Sequence, residues 1–126
     1  MVKLSIDGKL IEAREGATIL EAASEAGIYI PSLCYHESLS PSGSCRLCTV
    51  EIITNGRSGL TAACSYPVED GLKVITNSDR VNEARRLAIE VLLAQNPDSV
   101  RIQELARRLG VDKPSFTLKV RECILC

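Results

Sequence analysis

The sequence predicts an α+β chain, with a small sheet-rich domain first and a pair of helices behind it. Three observations carry this. Short apolar runs on either side of Asp7-Gly8 and Asn55-Gly56 read as strands joined by tight turns. A T-x-x-E pattern at Thr18 and Glu21 opens a short helix among them. From about residue 78 the apolar period changes from two residues to the 3.6 of a helix. A chain of 126 residues with 45% apolar and 25% charged content has ordinary globular composition and enough length to bury a core.

In order, Val2, Leu4 and Ile6 alternate before Asp7-Gly8, and Leu10 and Ile11 follow, which predicts a hairpin over 2–7 and 9–14. Ile19, Leu20, Ala23 and Ala26 recur at helical spacing after Thr18, and Gly27 stands where a helix stops, giving a helix over 18–26. Pro31 to Ser44 is rich in Pro, Ser and Gly and reads as a long loop bracketed by Cys34 and Cys45. Loops of that length are usually functional or disordered, and the bracketing cysteines point to function. Leu47 to Thr54 predicts a strand, with Leu47, Val50, Ile52 and Ile53 pinning the loop to a β core. Gly59 to Ala63 is its return strand and Leu72 to Thr76 a last short one. Val81, Ala84, Leu87, Ala88, Val91 and Leu92 then set the apolar stripe of a helix over 79–94. Asn96-Pro97-Asp98-Ser99 breaks it, and Ile102, Leu105, Ala106 and Leu109 mark a second helix over 101–109, closed by Gly110. Pro114 to Cys126 is a short tail, read as extended. Charge divides at the same place, with net -3 over residues 1–78 and +2 over 79–126.

Several function classes fall away. A net charge of -1, three Tyr, one Phe and no Trp supply neither the basic surface nor the stacking platforms of a nucleic-acid binder. No apolar run approaches the roughly 18 residues of a membrane span, and charges at Lys3 and Asp7 come too early for a secretory signal. The reading is therefore cytoplasmic and reducing, where disulfides are uncommon. There is no nucleophile–base constellation, no phosphate-cradling glycine loop and no paired carboxylates, so the chain is not read as an enzyme by itself.

Six cysteines remain to be explained, and metal ligation leads. Cys34, Cys45, Cys48 and Cys64 follow the spacing C-x10-C-x2-C-x15-C, and Cys123 and Cys126 form a C-x2-C at the end. A C-x2-C loop converges two thiolates on one metal or one cluster iron, and two more complete a four-sulfur shell that zinc or an iron–sulfur cluster accepts. Zinc sites of this kind usually use two such knuckles. One knuckle with remote partners on both sides is closer to the plant-type [2Fe–2S] order C-x4-C-x2-C…C, although ten residues stand here where that order has four. Ser42, Gly43 and Ser44 before Cys45 are small residues that let backbone N–H groups approach sulfur, and Arg46 between two ligands offers positive charge to an anionic centre. His36, two residues after Cys34, is read as a loop residue because four cysteines are already available, and Tyr35 as a cover over the loop.

The segment Ile30-Pro31-Ser32-Leu33-Cys34-Tyr35-His36, with Leu39-Ser40-Pro41-x-Gly43-x-Cys45-Arg46-Leu47-Cys48-x-Val50-Glu51, resembles a specific family. This is the N-terminal [2Fe–2S] domain found in the G-type subunit of NADH dehydrogenase (complex I). The module is shared with the diaphorase small subunit of NAD-reducing hydrogenases, with iron-only hydrogenases and with some NAD-linked formate dehydrogenases. Thr61-Ala62-Ala63-Cys64 and Pro67-Val68-x2-Gly71-Leu72-x-Val74 match its fourth-ligand region. The resemblance implies a β-grasp ferredoxin fold over 1–78 and assigns Cys34, Cys45, Cys48 and Cys64 to one [2Fe–2S] cluster. It also implies one-electron transfer in a complex. The partners would be a flavin/iron–sulfur NAD(H)-oxidising subunit and further iron–sulfur, hydrogenase or formate dehydrogenase subunits.

Two departures follow. Ala84-Arg85-Arg86-Leu87 to Leu92-Leu93 resembles the family's next helix, but Gln95 to Arg101 lacks the one-histidine, three-cysteine set that ligates a [4Fe–4S] cluster there. Residues 79–110 are thus expected to be a two-helix extension without that cluster. An apolar face left over on it would be a partner or homodimer contact. Arg121 to Cys126, within the tail 111–126, resembles the opening of a two-[4Fe–4S] domain, and two cysteines cannot supply a four-thiolate shell. The expectation is an incomplete motif, cut where the next domain begins. Two alternatives stay open: a stand-alone ferredoxin, and a zinc-stabilised β-grasp interaction module.

Overall fold

The computed structural model describes residues 1–115, so the expected incomplete motif at Cys123 and Cys126 lies outside the described residues. The elements run β1 (Val2–Ile6), β2 (Lys9–Ala13), α1 (Ile19–Glu25), β3 (Thr49–Thr54), β4 (Arg57–Ala62), β5 (Lys73–Ile75), α2 (Asp79–Gln95) and α3 (Val100–Arg108). At both hairpin turns the two central residues take positive φ, 50° and 81° at Asp7-Gly8 and 50° and 77° at Asn55-Gly56. That is the tight turn whose twist matches the flanking strands. It sets registers that pair Leu4 with Ile11 and Ile52 with Gly59.

The strands make one mixed sheet in the order β2-β1-β5-β3-β4. β1 and β5 run parallel, and the other neighbours antiparallel. The sheet grips α1. Leu4, Ile6, Val50 and Val74 from the strands share a core with Ile19, Leu20, Ala22 and Ala23 from the helix. The predicted capping box is formed: Thr18 Oγ1 accepts the Glu21 N–H at 3.3 Å, and a Glu21 carboxylate oxygen accepts the Thr18 N–H at 2.8 Å. The first turn of a helix leaves N–H donors without intrahelical partners. Two of these reach the chain around Cys64, Ile19 N–H to the Tyr66 carbonyl at 2.9 Å and Leu20 N–H to the Ala63 carbonyl at 3.0 Å.

A second core gathers Leu47, Ile89, Leu93, Ile102, Leu105, Ala106 and Val111, with Leu33 and Cys45 packed against it. Leu47 is therefore not the start of a strand pinned to the β core. The chain turns at Arg46, whose φ is +62°, and β3 begins only at Thr49. The reversal drops Leu47, wholly buried, onto α2 and α3.

The apolar stripe of α2 also differs from expectation. Its buried row is Val81, Arg85, Ile89 and Leu93, flanked by Glu90 and Ala94, whereas Leu87 and Val91 are 60% and 39% exposed. Apolar residues cover more than one face of this helix, so periodicity alone does not say which face meets the sheet. Polar anchors decide it. Ser78 caps the helix by accepting the Val81 N–H at 3.2 Å and donates to Glu51 of β3 at 3.1 Å, and Arg80 pairs with Glu51 at 3.1 Å. Leu60, Leu87 and Val91 are left lining an open, mainly apolar groove of about 360 Å³ together with Arg46 and Thr49. Among the described residues, no helix is long and apolar enough to cross a membrane.

Candidate metal centre

The long loop before β3 and the turn after β4 bring four free thiols to one end of the sheet: Cys34 and Cys45 half-buried, Cys48 and Cys64 buried. They stand in two pairs. The Cys45 backbone N–H and thiol face Cys34 and favour its thiolate. The Cys64 backbone N–H donates to Cys48 Sγ at 3.4 Å, and the Ala63 N–H donates to the Cys48 carbonyl at 3.1 Å. Among the described residues, no group of three or more His, Cys, Asp or Glu side chains gathers closely enough to hold a single ion.

The pairs differ electrostatically. Burial alone would raise the Cys34 thiol. The Cys45 N–H, the Ser42 and Ser44 hydroxyls and the Cys45 thiol stabilise its thiolate and together bring it down to about 6. Burial pushes Cys48 up to about 11 despite the Cys64 N–H, and the neighbouring Cys64 and Cys45 sulfurs act in the same direction as burial.

The other candidate residues take distinct places. Gly43 is buried with φ +64°, and a Cβ built there would lie 3.5 Å from Ser65 Oγ and 3.7 Å from Ala62 Cβ. It thus brings the Cys45 loop against the Cys64 turn in a backbone conformation that side chains disfavour. Ser44 reaches Cys34 and shares a 3.0 Å hydroxyl contact with Ser42. Arg46 is exposed, and its left-handed conformation is held by Thr49, whose N–H and hydroxyl donate to the Arg46 carbonyl at 3.3 and 2.6 Å. His36 is exposed and its Nδ1 accepts the Ser38 N–H at 3.1 Å, which fixes a local turn. Tyr35 is half-buried, with its hydroxyl 3.5 Å from Glu21 on α1.

Three features were not expected from the sequence. The Ser42 and Ser44 hydroxyls act on Cys34, where the sequence pointed only to backbone N–H groups. Leu33, Cys45 and Leu47 from the ligand loop rest on the helical core. Arg85 of α2 is 7% exposed and donates from Nε to the Thr49 carbonyl at 3.0 Å, one residue from Cys48. The signal for Arg85 was present but faint: an arginine four residues from both Val81 and Ile89.

Residues 1–79 match the family described as 2Fe-2S iron-sulfur cluster binding domain. The chain is 43% identical over 97 residues to the NADH-ubiquinone oxidoreductase 75 kDa subunit of Reclinomonas americana, covering 77% of this chain and 14% of that protein. It is 42% identical over 130 residues to subunit HndD of the NADP-reducing hydrogenase of Solidesulfovibrio fructosivorans, covering 92% and 22%. A similar likeness, 44% over 97 residues, joins it to the NADPH-Fe(3+) oxidoreductase subunit alpha of Geobacter sulfurreducens, covering 77% and 11%. The chain thus spans less than a quarter of the length of each of these curated relatives. Among solved structures, a chain of an NAD+-reducing [NiFe]-hydrogenase in the H2-reduced state superposes with a TM-score of 0.84 at 34% identity, over 97% of this chain and 54% of that one.

Proposed function

Because the chain belongs to the family of 2Fe-2S iron-sulfur cluster binding domains, we propose that it carries single electrons as a module of an NAD(P)H-linked oxidoreductase, hydrogenase or formate dehydrogenase complex. The observation that carries this reading is the division of four thiols into two neighbouring pairs, Cys34 with Cys45 and Cys48 with Cys64. A two-iron cluster needs two thiolates at each iron, whereas one zinc ion draws four to a single point. Cys34 with Cys45 and Cys48 with Cys64 would each hold one iron, so the C-x2-C pair Cys45 and Cys48 is divided between the two irons instead of converging on one as the spacing suggested. A bound [2Fe–2S] cluster supplies a one-electron couple.

The residues of the chain do the rest. The Cys64 N–H at Cys48, and the Cys45 N–H with the Ser42 and Ser44 hydroxyls at Cys34, direct donors at ligand sulfurs. Such donors stabilise an anionic centre and favour its reduction. Gly43 and Arg46 shape the loop, and the two-helix extension over 79–110 is its platform. The partners that fit are a flavin/iron–sulfur NAD(H)-oxidising subunit on one side and further iron–sulfur subunits on the other. They are suggested by the relatives, whose names are those of NADH-, NADPH- and hydrogen-linked enzyme subunits.

Anaerobic purification or reconstitution with iron and sulfide tests the reading. The protein should be red-brown, bleach with dithionite, and give a paramagnetic signal of one unpaired electron per chain. Cys48→Ser should lose that signal or shift it strongly, and Cys123→Ser should leave it intact. A colourless protein with stoichiometric zinc and no iron would favour the interaction module instead. Activity with several unrelated partners, without co-purification in a complex, would favour a stand-alone ferredoxin.

A further inference from the structure

Arg85 is a charged residue in a place chains normally give to leucine. It lies on the buried row of α2 between Val81 and Ile89, both wholly buried, and is itself only 7% exposed. A buried cation is costly unless it is paired and fully hydrogen-bonded. Arg85 meets that requirement only in part. Its Nε donates to the Thr49 carbonyl at 3.0 Å. Among the described residues its Nη2 is buried with no hydrogen-bond partner, and no carboxylate oxygen lies within ion-pair distance of the guanidinium. Glu51 and Glu90 are taken by Arg80 and Arg86. Asp7 is engaged by the Thr76 N–H at 2.7 Å and by the Thr76 hydroxyl. Desolvation lowers the affinity of Arg85 for its proton, and the first anionic group whose field opposes this is Cys48, ahead of Asp7 and Tyr29.

We propose that Arg85 is the fixed counter-charge of the metal centre: a buried guanidinium, tied to the backbone of the residue after Cys48, that favours the reduced state of the cluster. This rests on the reading of the four thiols as [2Fe–2S] ligands. A cluster with four thiolates is anionic, and one-electron reduction adds one negative charge with no bond made or broken and no proton taken up. A cation held in a low-dielectric core offsets that added charge far better than one in water. Arg46, though it stands between two ligands, is exposed and screened by solvent and salt. The role expected of Arg46 from its position in the sequence therefore falls to Arg85, which acts through the field it sets and is a positioning residue.

The test is a redox titration of the cluster in the loaded protein, followed by visible absorbance and by the paramagnetic signal, at low and high salt. Arg85→Gln keeps a donor for the Thr49 carbonyl and removes the charge, and Arg85→Lys keeps the charge. Arg86→Gln, on the same helix with its side chain 69% exposed, is the control. In Arg85→Gln the ratio of reduced to oxidised cluster at a given poise should fall about tenfold, which is about 59 mV for one electron, and salt should change the difference little. Arg85→Lys should keep most of the wild-type ratio and Arg86→Gln all of it. Wild-type potentials in a loaded Arg85→Gln overturn the assignment. Loss of the cluster from Arg85→Gln and Arg85→Lys alike reduces Arg85 to a structural part and also overturns it. Loss from Arg85→Gln alone supports it, since Arg85→Lys, which does not reproduce the guanidinium shape either, retains the charge and with it the cluster. A wild-type protein that takes up no [2Fe–2S] cluster fails at the earlier step and overturns the ligand reading itself.

Discussion

A thiol reacts as its thiolate, so reactivity follows thiolate fraction and access. Cys34 and Cys48 differ in both. Cys34 is half-buried, and its donors outweigh burial to hold it at about 6; Cys48 is buried and pushed up to about 11. In cluster-free protein, Cys34 is thiolate by neutral pH while Cys48 stays protonated. Alkylation with iodoacetamide at pH 7, followed by peptide mass spectrometry, should modify Cys34 well before Cys48. The Cys34 rate should climb through about pH 6 and level off by neutrality. Equal rates at the two sites would mean that the loop donors do not act as described. At this scale the sequence showed the local C-x2-C spacing of Cys45 and Cys48, and the resemblance added Cys34 and Cys64 as expected ligands. The donors were hidden. Ser42 and Ser44 stood out only as small residues beside Gly43, and nothing in the spelling gives their hydroxyls to Cys34. Nor does an arginine announce a φ of +62°, which costs an L-residue about 1–2 kcal/mol and is held here by Thr49.

At the scale of elements, the hairpins and the capping box were legible because each depends on residues a few positions apart. The contact between the ligand loop and the helices was not, because it joins Leu47 to Ile89 across the whole of β3, β4 and β5. The apolar run of Leu47, Val50, Ile52 and Ile53 looked like one strand until the turn at Arg46 separated its first residue from the rest. The consequence is testable far from any ligand. Ile89 is wholly buried against Leu47's core, so Ile89→Ala should destabilise the protein by about 2–5 kcal/mol in denaturant melts. It should also quicken the decay of the visible cluster bands, since the cavity opens beneath the Cys45–Cys48 loop. Leu87→Ala, at a 60% exposed site of the same helix, should stay within about 0.5 kcal/mol and leave the decay unchanged. A destabilised Ile89→Ala that holds its cluster as long as wild type would show that the helices are not the platform of the loop.

For the whole molecule, the change of period and of net charge near residue 78 marks where one kind of element gives way to another. It does not mark where packing stops. The sheet core contains Cys48 and Cys64, and the helical core carries Cys45 and Leu33 against Leu47. The four-thiol site therefore straddles two cores that share one loop. A ligand that binds only the folded form stabilises every part whose opening would release it. Regions that open separately show separate exchange behaviour. If opening either core releases the same cluster, loading should slow hydrogen exchange at amides in both. The amides to compare are those of Leu4 and Ile6 in β1 and those of Ile89, Leu93 and Leu105 in α2 and α3, all of them residues of the two cores. Exchange followed by mass spectrometry on loaded and cluster-free protein should show protection rising in both sets on loading. Protection confined to the sheet would mean that the helical pair opens without disturbing the thiols, and the shared loop would then be a contact without a coupling. Protection in both would make the helical extension part of the metal centre, held to it by Leu47 and Arg85 at the two ends of the Cys48 knuckle.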